Sequence, residues 1–207
     1  MAFTYFFRDD HVLELVVKLT APALAARSVP RIWDAGCAMG QEPYTLCMMY
    51  ADVMGRFAFN NLRVYATDLD NSDLFGNIIK VGIYPKEELE RMPRAAFEKY
   101  FEATDSPGHF RVTEQIRNRI VYQKHDLLTQ EEIGRDFSLV VCKNVLLHFQ
   151  AGERVEVIRM FHRALAPGGF FATEQTQKMP AEVAHLFTLL VADAQIFQKA
   201  EGAACAS

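Results

Sequence analysis

Short apolar runs of strand length alternate with amphipathic segments of helical length along most of this sequence. Strands are predicted at Ile32–Ala35, Leu62–Thr67, Ile120–Gln123, Phe137–Cys142, Phe170–Glu174 and Ala194–Gln198. Helices are predicted between them at Pro43–Tyr50, Asn71–Val81, Glu153–Ala166 and Ala181–Ala192, with Pro167-Gly168-Gly169 ending the third. Strands that alternate with helices are typical of a mostly parallel sheet covered by helices on both faces. We therefore predict an open α/β fold.

One segment, between the second helix and the third strand, departs from this alternation. Two short helices fit its first part, at Lys86–Arg91 and Arg94–Tyr100. The remainder contains a Pro-Gly turn and the alternating stretch Phe110–Thr113, which is typical of a β-hairpin. We expect a small antiparallel β subdomain inserted at about residues 100–120.

The composition sets limits on the function. A chain of 207 residues with 50% hydrophobic and 23% charged residues fits one globular domain over residues 1–207. No apolar run approaches the roughly 20 residues of a membrane span, and the start lacks the pattern of a secretory signal. A net charge of −4 argues against nucleic acid as a partner. The cysteines show no zinc-ligand spacing, so we expect no metal and a reduced, cytoplasmic compartment.

The loop after the first predicted strand carries the clearest ligand signal. It runs Asp34-Ala35-Gly36-Cys37-Ala38-Met39-Gly40, and the next helix opens with Glu42. The spacing D-x-G-x-x-x-G differs from the G-x-G-x-x-G of dinucleotide sites. Acids on both sides of the loop would repel a pyrophosphate and suit a cationic ligand, such as the methionine part of S-adenosylmethionine. The alternative is a plain strand-to-helix turn with two glycines.

Two further acids follow later strands. Asp68 ends the second strand, where an acid in such folds accepts hydrogen bonds from ribose hydroxyls. Its alternative role is to cap the next helix, although Asp70 or Ser72 can do that instead. Asp126 follows the third strand and can meet an adenine amino group; alternatively it is an ordinary loop acid.

Several blocks of the sequence resemble, in order, the signatures of CheR-type chemoreceptor methyltransferases. They are Thr4–Arg8 (T-Y-F-F-R), Arg31–Cys37, Gly40–Tyr44, Ala66–Asp70, Val141–Phe149 (V-C-K-N-V-L-L-H-F) and Leu165–Gly169. Together they cover nearly the whole chain, and a Rossmann-like methyltransferase in general needs few of them. The resemblance implies a Rossmann-like sheet that binds S-adenosylmethionine, with a small inserted antiparallel β subdomain. The helical N-terminal domain usual in the family is not found before Thr4.

The resemblance also implies roles for individual residues. The implied cofactor-binding residues are Thr4, Arg8, Gly36, Glu42, Asp68, Asp126, Leu127, Lys143 and Asn144. The implied catalytic residues are Arg8, Lys143, Asn144 and His148. Thr4 and Arg8 would close over the cofactor, Glu42 would hold its amino group, and Lys143 and Asn144 would line the cofactor and the acceptor. For Arg8 the alternative is a solvated residue before a helix whose N-terminus Asp9 and Asp10 satisfy.

Several residues depart from the family pattern, three of them at the implied site, and His148 lies close to where the acceptor should sit. His148 stands where a Tyr is usual, Lys143 replaces an Arg, and Asp126 replaces an Asn. A lysine offers a point charge instead of a planar fork, and a histidine titrates near neutral pH. These changes either signal a different acceptor or are neutral.

The expected reaction is methyl transfer to glutamate carboxylates of chemoreceptor-like proteins. The expected partner is the cytoplasmic domain of a receptor or of another signalling protein, with no membrane insertion and with the protein acting as a monomer. Arg111, Arg117, Arg119 and Lys124 would give the hairpin a basic surface for an acidic receptor helix, unless they are simply solvated. Two alternatives stay open: a methyltransferase for another protein or a small molecule, and a non-catalytic module that binds the cofactor or its product.

Overall fold

The computed structural model describes residues 4–176 and 178–202. Its strands are β1 Arg31–Ala35, β2 Arg63–Asp68, β3 Ile83–Pro85, β4 Phe101–Ala103, β5 His109–Val112, β6 Ile120–Lys124, β7 Phe137–Cys142, β8 Leu165–Thr173, β9 Phe187–Leu189 and β10 Ile196–Lys199. Its α-helices are α1 Asp10–Ala25, α2 Gln41–Val53, α3 Arg56–Asn61, α4 Phe75–Val81, α5 Lys86–Leu89, α6 Arg94–Tyr100, α7 Glu114–Arg117, α8 Ala151–Ala164 and α9 Ala181–Ala184. Two 3₁₀ turns lie at Leu127–Thr129 and Leu146–His148.

The main sheet has seven strands in the order β6-β2-β1-β7-β8-β10-β9. The pairs from β6 to β8 are parallel, and β10 runs antiparallel to both β8 and β9. The chain moves outward from β1 to β2 on one side and reaches β7 on the other side. The strand order therefore reverses between β1 and β7, and ligands of such sheets bind beyond the strand ends at that point. The predicted α/β class is confirmed.

The two faces of β1 take part in different parts of the core because successive side chains of a strand point in opposite directions. Ile32 belongs to the cluster that includes buried residues of α1 and α2. Trp33 faces the other way, fully buried, and its ring meets Phe161 of α8 edge-on with centroids 5.1 Å apart. The indole Nε1 donates to Thr67 Oγ1 at 2.8 Å, so its polar atom is satisfied inside the core. Both faces of the central strands are therefore buried beneath helices.

A second, antiparallel sheet has the order β3-β5-β4. It confirms the small antiparallel unit in the predicted fold class, but it uses a strand that the sequence pattern did not indicate. That strand, β3, begins at Ile83, before the predicted insert of about residues 100–120, and pairs Tyr84 with Phe110. Three residues are too short to show an alternating pattern of their own, so only the pairing with β5 reveals β3.

Most of the observed helices differ from the predicted ones at one or both ends. The helix predicted over Asn71–Val81 begins at Phe75, because the Asp70 carboxylate accepts from the backbone N–H groups of Leu74 and Phe75 at 3.1 and 3.0 Å. The helix predicted to run to Ala166 ends at Ala164. The turn Pro167-Gly168-Gly169 does not end that helix but lies within β8, where the pairing with β7 shifts register.

The predicted helix Ala181–Ala192 is wrong beyond its first turn. Only Ala181–Ala184 is helical, and Phe187–Leu189 forms the edge strand β9. Phe187 pairs with Lys199 of β10 and packs its ring near Phe171 and Phe197. Pairing with β10 at the sheet edge therefore outweighs the helical preference of the local sequence. Within the described residues, no helix combines the length and apolar character that crossing a membrane requires.

Candidate functional site

A cavity of about 670 Å³ lies beyond the carboxyl ends of β1, β2, β6 and β7. Every predicted site residue lines it: Thr4, Arg8, Gly36, Glu42, Asp68, Asp126, Leu127, Lys143, Asn144 and His148. These residues come from separate segments of the chain, and the sheet brings them together because parallel strands end at one edge. Cys37, Ala38, His125 and Val145 are among the further lining residues that the sequence analysis did not assign.

The glycine loop after β1 lines the cavity with Gly36, Cys37 and Ala38. Gly36 has φ +98°, and a Cβ placed there would lie 2.1 Å from Cγ2 of Val145. The N–H groups of Gly36 and Cys37 both donate to the Thr67 carbonyl, at 2.7 and 3.0 Å. Only glycine combines this backbone conformation with this packing. The loop is therefore fixed against the end of β2, leaving its outer side to the cavity.

Asp68 ties the loop to the second strand. Its Oδ2 accepts from the N–H of Ala38 at 2.9 Å, and its Oδ1 accepts from the N–H of Asp70 at 3.1 Å. Asp70, not Asp68, caps α4, which agrees with one of the two sequence interpretations. Each carboxylate oxygen can accept a second hydrogen bond, so Asp68 is oriented by the backbone and can still bind hydroxyl groups.

Three acids, of which only Asp34 is fully buried, lie around the buried ammonium group of Lys143 or near it. Lys143 Nζ lies 3.3 Å from Glu42 Oε2 and 3.2 Å from Asp9 Oδ2, and its side chain is 1% exposed. Burial raises the pKa of Glu42, although the charges of Lys143 and Arg8 oppose the rise. Burial also raises the pKa of Asp34 well above its usual range, and neither Asp34 oxygen has a hydrogen-bond partner among the described residues. This region has more carboxyl groups than cations, which favours a cationic ligand.

Asp126 and its neighbours form the wall after β6. The Oδ1 atom of Asp126 accepts from the N–H of Leu128 at 2.9 Å, so Asp126 caps the first 3₁₀ turn as well as lining the cavity. The N–H of His125 donates to the Asp68 carbonyl at 2.9 Å, and burial lowers the pKa of its imidazole. The sequence analysis missed His125, since a histidine after a strand carries no distinctive spacing.

Asn144 and His148 form the wall after β7. Asn144 has φ +60°, a left-handed conformation that asparagine tolerates. Its N–H donates to Glu174 Oε2 at 3.0 Å, and the Thr173 hydroxyl donates to the same oxygen at 2.8 Å. Glu174 is buried at the end of β8 and so supports the asparagine from behind. His148 is exposed at the end of the second 3₁₀ turn, on the open side of the cavity.

Asp9 lies directly before α1 but does not cap this helix with its side chain. It is the N-cap residue of α1, but its side chain accepts no capping hydrogen bond. Its carboxylate instead pairs with Lys143. No local pattern indicates this pair, because the two residues are far apart in the sequence.

The chain resembles known proteins over most of its length. Residues 2–196 match the family described as CheR methyltransferase, SAM binding domain. The chain belongs to this CheR family. S-adenosylmethionine is therefore its cofactor, and the acids around Lys143 fit the positive charge of that ligand.

Three curated relatives show how far the similarity to CheR proteins extends. A protein of Rhodobacter capsulatus named "Uncharacterized 104.1 kDa protein in hypE 3'region" is 30% identical over 94% of this chain and 20% of its own length. A probable chemotaxis protein methyltransferase of Rhizobium etli is 27% identical over 89% of this chain and 70% of its length. Chemotaxis protein methyltransferase 1 of Pseudomonas aeruginosa is 31% identical over 86% of this chain and 67% of its length. The chain thus spans between a fifth and about 70% of these relatives.

A solved structure titled "Crystal structure of trans-methyltransferase CalH complex with SAH" is less similar to this chain than the curated relatives are. It is 16% identical to this CheR domain, covers 77% of this chain and 35% of its own, and has a TM-score of 0.48. The fold assignment rests on the strand order and on the family match.

Proposed function

We propose that this CheR-type domain transfers the methyl group of S-adenosylmethionine to glutamate carboxylates of chemoreceptor-like proteins. The observation that carries the proposal is the single cavity lined by every residue that the family resemblance implies for the site. The names of the relatives from Rhizobium etli and Pseudomonas aeruginosa support the chemotaxis context.

The acids around the cavity would hold the cofactor by its charged and hydroxyl groups. Glu42 would bind the amino group of the methionine part, and Arg8 would bind its carboxylate. Asp68 would bind the ribose hydroxyls, and Asp126 and Leu127 would frame the adenine. When bound, the cofactor supplies a methyl group on a positively charged sulfur.

The chain's own contribution to the reaction would be orientation. A glutamate side chain has a pKa near 4.3, so it is already ionised at neutral pH and needs no general base. Asn144 and His148 line the cavity and would position the acceptor carboxylate for an in-line displacement. Positioning of this kind can supply about 7 to 11 kcal/mol of the barrier. Contacts that strengthen only in the transition state add to the rate.

The proposed partner is the cytoplasmic domain of a receptor, and the reaction would take place in the cytoplasm. The four basic residues expected at the hairpin differ in what they contact. Arg117 donates to the Val112 carbonyl, Arg119 to a carbonyl of the α3 end, and Lys124 pairs with an aspartate. Arg111 is exposed on β5 and is the best placed of the four to meet an acidic partner.

A labelling experiment tests the proposal. The protein is incubated with methyl-labelled S-adenosylmethionine and cytoplasmic domains of chemoreceptors, and the product is treated with mild base. We expect label that mild base releases, as from a glutamate ester; label that resists base would contradict the proposal. Asp68→Asn should abolish most of the labelling, whereas Asp73→Asn, outside the cavity lining, is the matched control.

A different acceptor is the second candidate function, favoured by the exposed imidazole of His148 at the open side of the cavity. An imidazole can act as a base for an acceptor less acidic than glutamate. We expect His148→Tyr to raise methylation of receptor domains if the pocket has diverged toward another acceptor. If this variant lowers receptor methylation instead, His148 serves the glutamate reaction.

A further inference from the structure

The segment of residues 4–9, here called the N-terminal strap, crosses one side of the cavity. Thr4 and Arg8 line the cavity, and Asp9 follows directly as the first residue before α1. Phe7 and Asp9 both adopt positive φ angles, +60° and +52°. A short segment with two left-handed non-glycine residues holds its shape only when its surroundings fix it.

The middle of the strap is fixed by Phe6. Its side chain is fully buried and meets Tyr84 of β3 and Phe101 of β4 edge-on, with ring centroids 4.9 and 5.4 Å apart. The N–H of Phe7 donates to Thr45 Oγ1 in α2 at 3.1 Å. The middle of the strap is therefore anchored to the small sheet and to α2.

The end of the strap next to α1 is fixed by an ion pair. The Asp9 carboxylate, 41% exposed, lies 3.2 Å from the ammonium of Lys143, which is 1% exposed and also contacts Glu42. A buried ammonium group needs charged partners to offset its lost hydration, and Glu42 alone gives it only one. An Asp before a helix commonly caps it, yet Asp9 makes no side-chain cap and points to Lys143 instead.

We propose that Asp9 and Lys143 are positioning residues that hold the N-terminal strap over the bound cofactor. This proposal rests on the cofactor binding of the proposed function. Asp9 does not line the cavity, so its effect on binding must act through the strap and through Lys143. The ammonium group shared by Asp9 and Glu42 joins the strap to α2 and to the end of β7. Loss of the Asp9 charge frees the end of the strap that carries Arg8.

Calorimetry with S-adenosylhomocysteine tests this on the full chain. A partly exposed ion pair is worth about 1 kcal/mol, so we expect Asp9→Asn to weaken binding about fivefold. Asp10→Asn is the matched control, because Asp10 is exposed and its carboxylate accepts from the N–H of His11; binding should stay within about twofold of the unchanged protein. Equal affinity of the Asp9→Asn variant and the unchanged protein would overturn the proposal.

A double-mutant cycle separates positioning from a general loss of stability. In a Lys143→Met background, Asp9→Asn should weaken binding no further, whereas in a Lys143→Arg background it should again weaken binding severalfold. Additive effects in the methionine background would show that Asp9 acts independently of Lys143 and would refute the proposal. The thermal midpoint of each variant, measured without ligand, shows that the folded state is retained.

Trypsin cleavage after Arg8 reports on the strap itself. S-adenosylhomocysteine should slow this cleavage in the unchanged protein, and the ratio of the rates without and with ligand should fall in Lys143→Met, which leaves the cleaved sequence intact. If the ratio of the two cleavage rates at saturating ligand is the same in Lys143→Met as in the unchanged protein, the proposed role of Lys143 in holding the strap is contradicted. If the unchanged protein does not bind S-adenosylhomocysteine at all, the proposed function fails first, so the two failures are distinguishable.

Discussion

Substituting Gly36 by alanine tests whether close packing of the glycine loop holds the cavity in shape. The added Cβ would lie 2.1 Å from Cγ2 of Val145, far inside van der Waals contact, at a φ of +98°. A side chain in such a conformation costs about 1 to 3 kcal/mol, and forcing a methyl group into packed space costs roughly another 1 to 3 kcal/mol. We expect the free energy of unfolding to fall by about 2 to 6 kcal/mol, measured by urea denaturation.

The two causes can be separated because the clash is with one side chain. Val145→Ala removes the methyl group that the new Cβ meets, so Gly36→Ala in that background should lose only the conformational part, about 1 to 3 kcal/mol. Gly152→Ala is the control, since nothing lies within 4 Å of a Cβ there and the residue is helical. A loss below about 0.5 kcal/mol for Gly36→Ala, comparable to an ordinary surface substitution, would refute the packing argument.

Three further predictions concern polar groups of the core and the site. Asp68→Asn should weaken S-adenosylhomocysteine binding at least tenfold by calorimetry, because charged hydrogen bonds are worth about 1.5 to 3 kcal/mol; unchanged affinity would remove Asp68 from the site. Burial raises the pKa of Asp34 in the folded protein, whereas in the unfolded chain Asp34 ionises near pH 3.9. Above that pH the unfolded chain therefore binds fewer protons than the folded protein. The stability of the unchanged protein should therefore fall relative to Asp34→Asn as the pH rises from about 4, and parallel urea profiles would contradict this. Tyr50→Phe removes a buried hydroxyl 2.5 Å from Thr20 Oγ1 and should cost about 1 kcal/mol of unfolding free energy, whereas no loss would show that the pair is replaceable.

Local patterns in the sequence predict the bounds of an element correctly where the spacing of its own apolar residues decides its structure. The strand Phe137–Cys142 and the helix Arg94–Tyr100 have the predicted bounds. The first is an apolar run, interrupted by Ser138, in a parallel part of the sheet where both faces are buried. The sequence also predicted which residues meet in the cavity, since the carboxyl ends of parallel strands share one edge of the sheet.

Pairing between residues far apart in the sequence decided the elements and contacts that local patterns did not predict. The strand β9 formed where a helix was expected, because pairing with β10 at the sheet edge outweighs the local preference of a short segment. The ion pair of Asp9 with Lys143 joins residues far apart in the sequence and has no local signature. The sequence by itself indicated the alternation of strands and helices and, through its resemblance to CheR proteins, the cofactor and the residues around the cavity, because periodicity and motif spacing are local. Only the tertiary structure decided how those charges are shared, because burial and pairing depend on what the fold brings within about 4 Å.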